Sequence, residues 1–149
     1  MSQHAYIRTI LTRFNMLNAR PASTPMEPGA RFSHNQCPST LSEIEDMKDV
    51  PYAALLGALM YLVTATRPDI AQAVRTLAEY MKNPGRAHWE ALKRVLRYLV
   101  GTQDLCLAYG CGQTGLVAYS DSDFASQPHR HSISGCVIIM NGGAVIWLS

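Results

Sequence analysis

Apolar residues recur at helical spacing through the first two-thirds of the chain and at strand spacing through the remainder. Over Tyr6–Met16, the residues Ile7, Ile10, Leu11 and Phe14 fall at i, i+3, i+4 and i+7, predicting an amphipathic helix. A long loop is expected over Asn18–Thr40, which carries Pro21, Pro25, Pro28, Gly29 and Pro38. Such length is unusual inside one compact domain. Thr40 with Glu43, and Ser42 with Glu45, both fit a capping box, so a short acidic helix should follow.

Pro51 suits the first position of a helix running to about Ala65. At 100° per residue, Leu55, Leu56, Leu59, Leu62 and Val63 gather on one side of it. Ala53, Ala54, Gly57, Ala58, Tyr61, Thr64 and Ala65 take the other, a face nearly free of bulk apart from Tyr61. Pro68 opens a further helix with Ile70, Ala73, Val74, Leu77 and Met81 as its stripe, ending at Asn83-Pro84-Gly85. The next helix, about Ala87 to Val100, sets Trp89, Leu92, Val95, Leu96 and Leu99 against Arg86, Glu90, Lys93, Arg94 and Arg97, and Gly101 closes it. Beyond Gly112 the period changes to two. Leu116–Ser120, Gly135–Met140 and Ala144–Leu148 read as strands, the last two joined at Asn141-Gly142-Gly143. Three strands without a covering helix leave an apolar face and edge exposed.

With 149 residues, 48% hydrophobic and 16% charged, the chain has the composition of a folded protein, not a disordered one. Its net charge of +2 selects no partner class, but the distribution is uneven. Residues 27–49 hold five acids and two bases, and residues 67–101 hold seven bases and three acids. Cys37, Cys106, Cys111 and Cys136 form no CxxC pair, which suits a reducing, intracellular setting, cytoplasmic or nuclear. The N-terminus lacks the pattern of a secretory signal, and Val50–Thr66 is short for a membrane span, so no membrane partner is expected.

Three places could carry chemistry. Asp121 and Asp123, at i and i+2 where the first predicted strand ends, point the same way, as a Mg²⁺-binding pair requires; a polar turn is the competing explanation. Arg86, Lys93, Arg94 and Arg97 offer four cations to nucleic-acid phosphates, or form a solvated helix face tempered by Glu90. The small face around Gly57 and Tyr61 permits close approach, either of another helix or of a ligand groove. His129 and His131 with Cys106 and Cys111 lack finger-like ligand spacing for zinc.

Taken in order, several stretches resemble the C-terminal part of a copia-type retrotransposon Pol polyprotein. They are YIRTILTRFNM (6–16), PASTP (21–25), VPYAALLGALMYLVTATRPD (50–69), NPGRAHWEALKRVLRYLVGT (83–102) and YSDSDFA (119–125), with Ser132–Gly135 and Gly142–Trp147. The resemblance implies an α+β fold: a helical thumb-like bundle followed by an incomplete antiparallel RNase H-like β-meander. It divides the chain into an N-terminal helix, Pro-rich loop and acidic helix (1–49), reverse-transcriptase thumb-like helices (50–101) and truncated RNase H-like strands (112–149). It implies further that Gly57 and Tyr61 face the minor groove of a template–primer duplex, RNA·DNA or DNA. Asp121, in Tyr119-Ser120-Asp121, would be the first RNase H acid and a Mg²⁺ ligand in the parent enzyme, with Asp123 its neighbour. Phe124 and Ser126 depart from the Trp and Gly usual there. The palm and the remaining RNase H acids have no counterpart, since Asp123 is the last acid. The expectation is therefore a catalytically incomplete fragment that holds no metal tightly and keeps duplex binding. The alternative is a non-enzymatic folded remnant or interaction module without a nucleic-acid ligand, self-associating through its open sheet edge.

Overall fold

Helices form where the apolar stripes lie, and their faces close on one another. The computed structural model describes residues 1–110, 115–123 and 133–148, with Asp123 and Ile133 described by backbone alone. The chain divides into two compact units, Gln3–Leu105 and Met1–Ser2 with Cys106–Ser149.

The first unit holds α1 (His4–Arg13), α2 (Leu41–Lys48), α3 (Tyr52–Ala65), α4 (Ala71–Ala78) and α5 (Arg86–Gly101). Single 3-10 turns stand at His34–Gln36 and Pro68–Ile70. One core runs through it: Ile7, Ile10 and Leu11 from α1, Leu55, Leu56, Leu59 and Leu62 from α3, Val74 and Leu77 from α4, and Leu92, Val95, Leu96 and Leu99 from α5. The boundary expected at residue 49 therefore falls inside a single unit, because the α1 stripe is buried in the same core as α3 and α5.

Local signals hold in part. Thr40 caps α2 through a reciprocal pair with Glu43, each side chain bonding the other residue's backbone N–H, at 3.3 and 3.0 Å. Pro51 is the residue before the first turn of α3 instead of its first helical position. The stripe after Pro68 is interrupted: α4 ends at Ala78, and Met81 is exposed beyond it. Gly101 is the last helical residue of α5, followed by Thr102 as the cap.

The Pro-rich segment earns its length by packing on α5. Ala22 N–H donates to Arg97 O at 3.2 Å, and Arg97 Nε donates to Arg20 O at 2.8 Å. Met26 and Phe32 lie against the core. At the other end of α5, the 3-10 turn reaches the helix start so closely that a Cβ on Gly85 would sit 1.8 Å from Gln36 O.

The second unit contains the antiparallel sheet β1 (Leu116–Asp123), β2 (Ile133–Met140) and β3 (Gly143–Leu148), in the order β1-β2-β3. Each strand is longer than the apolar alternation predicts. β2 and β3 meet in a two-residue turn with φ of 50° at Asn141 and 81° at Gly142, the I′ geometry whose twist suits a hairpin. An irregularity at Ile138/Ile139 interrupts the register. Gly143 is buried against the Tyr109 ring and Ala108 O, where a Cβ would lie 2.5 Å from the ring. Leu116, Tyr119, Ile146 and Leu148 are exposed. Among the described residues, no helix is long and apolar enough to cross a membrane.

Candidate nucleic-acid interface

The side of α3 turned away from the core is open. Ala53, Ala54, Gly57, Met60, Tyr61 and Thr64 are all exposed, and a Cβ built on Gly57 meets no atom within 4 Å. No element of this unit fills the space over Gly57, so its small size does not serve packing within the described chain. Tyr61, one turn on, is 56% exposed and meets the Tyr6 ring edge-on at 5.0 Å and 85°. That contact fixes the phenol at the border of the small face. Met60, absent from the expected set, adds a second large apolar side chain here.

The cations of α5 are brought together but not left free. Lys93 Nζ lies 2.7 Å from Glu90 Oε1, and Arg86 Nε lies 3.6 Å from the same atom. Arg94 donates to Thr24 Oγ1 at 3.1 Å and pairs with Glu27 at 3.6 Å. Arg97 is bound to the Arg20 carbonyl. The expected solvent-facing row is thus divided between one glutamate of its own helix and the Pro-rich loop. Arg94 and Arg97 strap that loop to α5.

Asp121 does not lie at a strand end. β1 continues through Asp123, and Asp121 pairs in register with Gly135. Its exposed carboxylate borders a depression of about 310 Å³ shared with Ser120, Ser122, Ser134, Gly135 and Cys136. The side chain of Asp123 lies outside the described residues, as do Cys111, Phe124, Ser126, His129 and His131. Among the described residues, no three His, Cys, Asp or Glu side chains could hold a metal ion together. Of the expected Mg²⁺ pair, Asp121 is the member whose side chain is described.

Two buried polar groups went unassigned in the sequence. Arg67 is 1% exposed; its Nε and Nη2 grip both oxygens of Asp69 at 2.7–3.2 Å. Nη1 and Nη2 also donate to the Thr102 carbonyl and hydroxyl at 3.0 and 2.7 Å. The clamp ties the end of α3 to the end of α5. Beside it, burial and then Asp69 hold the Tyr98 phenol above its ordinary pKa. His88, fully buried, stacks on Tyr80 at 4.0 Å, and its Nδ1 accepts the Gly85 N–H at 2.9 Å. Burial, and secondarily His34, pushes its pKa down, so the neutral ring is favoured.

The amino-acid sequence is similar to known transposon proteins. The retrovirus-related Pol polyprotein from transposon TNT 1-94 of Nicotiana tabacum is 44% identical over 150 residues, covering 100% of this chain and 11% of the polyprotein. That from transposon RE2 of Arabidopsis thaliana is 38% identical over 152 residues, covering 100% of the chain and 10% of the polyprotein. The chain's homologues over its whole length are retrovirus-related Pol polyproteins of transposons. The chain spans about a tenth of the length of these Pol relatives. Part of the chain is also similar to a shorter protein. Secreted RxLR effector protein 161 of Plasmopara viticola is 49% identical over 105 residues, 69% of this chain and 74% of that protein. No protein-family model and no solved structure matches the chain.

Proposed function

We propose that the chain is a segment of a retrotransposon reverse transcriptase/RNase H whose helical unit works as a thumb, gripping a template–primer duplex. The observation that carries this reading is the open face of α3. A helix side with glycine at its centre and an aromatic ring at its border lets a backbone approach a shallow groove within van der Waals distance. The activity assigned is binding. Asp121, as the first acid of an RNase H-type strand, stands among the described residues without the carboxylates a two-metal hydrolysis needs.

Fluorescence anisotropy of a labelled RNA·DNA hybrid, titrated with the full chain at low and raised salt, tests the proposal. Wild type should bind. Gly57→Glu, which sets a carboxylate in the open space against the phosphates, should abolish binding while leaving the helical circular dichroism unchanged. A folded wild-type chain that does not bind at low salt refutes it.

The sheet favours a second reading for its own unit. β3 is an edge strand of the sequence GAVIWL without charge, and Ile146 and Leu148 are exposed, so self-pairing along that edge is the outcome to look for in sedimentation velocity.

A further inference from the structure

We infer that the cation presented to phosphate beside the small face of α3 is Arg13 of α1, not an arginine of α5. The inference rests on the duplex reading above and adds to it the source of its electrostatic contact.

Two contacts set the direction in which α1 runs relative to α3. Gln3, which precedes α1, accepts a hydrogen bond from Thr66 Oγ1 at 2.7 Å, and Tyr6 meets Tyr61. Residue numbers rise on one helix as they fall on the other, so the two run in opposite directions. Arg13 lies seven residues after Tyr6. In a helix that is 20° around the axis and about 10 Å along it, so both side chains leave α1 on the same flank. An equal run along α3 from Tyr61 passes Gly57 and reaches Ala54. Arg13 is thus placed alongside the open stretch of the small face, with Tyr6 and Tyr61 at the far end.

Charge supports the same placement. No acid precedes Glu27 in the chain, and none lies between Asp49 and Asp69, so neither helix bordering the face contributes a carboxylate. Arg13 is exposed, enters no ion pair among the described residues, and rests 5.7 Å over the ring of its neighbour Phe14. The α5 cations, by contrast, each have a partner within the unit. A phosphate would have to displace Glu90, Glu27 or a backbone carbonyl to reach them. At Arg13 it displaces water.

Arg8 provides a control of equal charge. It is also exposed, but it leaves α1 about 160° from Tyr6, on the other flank. The experiment compares Arg13→Gln, Arg13→Lys and Arg8→Gln with the wild-type chain, titrated against the same RNA·DNA hybrid from 50 to 200 mM salt. One released phosphate contact changes the salt slope by about 0.9, so the wild-type loss of affinity across this range should shrink about 3.5-fold in Arg13→Gln. Arg13→Lys should restore the wild-type slope, and Arg8→Gln should keep it. Thermal melts of all four confirm that folding is unaffected. If Arg13→Gln keeps the wild-type slope while Gly57→Glu abolishes binding, the assignment to Arg13 falls and the duplex reading stands. If Arg8→Gln and Arg13→Gln flatten the slope equally, the contact is diffuse charge and the assignment also falls. No binding by the wild type overturns both.

Discussion

Arg67→Ala should be among the most damaging single substitutions in the helical unit. The guanidinium is buried, it grips both oxygens of Asp69, and it saturates the carbonyl and hydroxyl of Thr102 from a position 35 residues away in sequence. Truncation leaves the Asp69 carboxylate and the Thr102 carbonyl without their donor and opens a cavity between the ends of α3 and α5. Removing one partner of a buried ion pair costs about 3–5 kcal/mol. The Asp69 side chain is 30% exposed, so water recovers part of the loss and the lower end, about 3 kcal/mol, applies. For a unit of this size that lowers Tm by roughly 12–24 °C. The assay is urea unfolding followed by circular dichroism at the helical minimum, with thermal melts alongside. Arg67→Lys should also destabilise, since a single ammonium cannot reproduce the two-pronged grip. Arg67→Met with Asp69→Leu should lose less than the two single changes summed, because the unpaired charge disappears with its partner. A loss under about 1 kcal/mol for Arg67→Ala, or strict additivity in the cycle, would refute the clamp.

Three further outcomes follow from the same structure. Gly85→Ala forces a Cβ into the Gln36 carbonyl and should destabilise the unit by about 1–3 kcal/mol in chemical denaturation, whereas Gly57→Ala should leave stability unchanged or raised. The Glu43 carboxylate, held by the N–H groups of Ser39 and Thr40, has its pKa lowered to about 2, and an NMR titration should show it there. Being depressed from an ordinary 4.5, it supports α2 fully above pH 4.5 and loses that support as pH falls towards 2. His88 titrates below its ordinary 6.5, so the unfolded chain takes up the proton first. Stability is complete above pH 6.5 and declines below it, and His88→Gln should remove that part of the slope in melts recorded from pH 7.5 to 5.

What the sequence disclosed was local. The stripes of α1, α3 and α5, the capping box at Thr40 and Glu43, and the Asn141-Gly142 turn each rest on residues within a few positions of one another, where periodicity and turn chemistry act. The burial of His88 was also within reach, since it stands four residues before Leu92 on the apolar stripe of α5. What stayed hidden depended on distant partners. Nothing near Arg94 or Arg97 in sequence indicates that Thr24, Glu27 and Arg20 will occupy them, so a row of cations on one helix face read as free. Arg67 was missed for the same reason: a buried charge is recognisable only together with Thr102, at the far end of another helix. Strand β1 ran past its expected end because Ser120 to Asp123 carry no apolar alternation, and pairing with β2 decides their conformation.

Gly57 and Gly85 show why this distinction bears on function. In the sequence, Gly57 lies inside a predicted helix and Gly85 in the Asn83-Pro84-Gly85 helix end, and neither position discloses what surrounds it. Their surroundings are opposite. The fold requires Gly85, since the backbone of the 3-10 turn occupies the place of its side chain. Nothing in the described chain requires Gly57, yet glycine inside a helix costs about 1 kcal/mol relative to alanine. Nothing among the described residues offsets this penalty on the solvent side of α3. A closely approaching surface that would clash with a larger side chain would offset it. On the duplex reading proposed above, a groove seated over Gly57, bordered by the Tyr6–Tyr61 pair and by Arg13, answers all three features together.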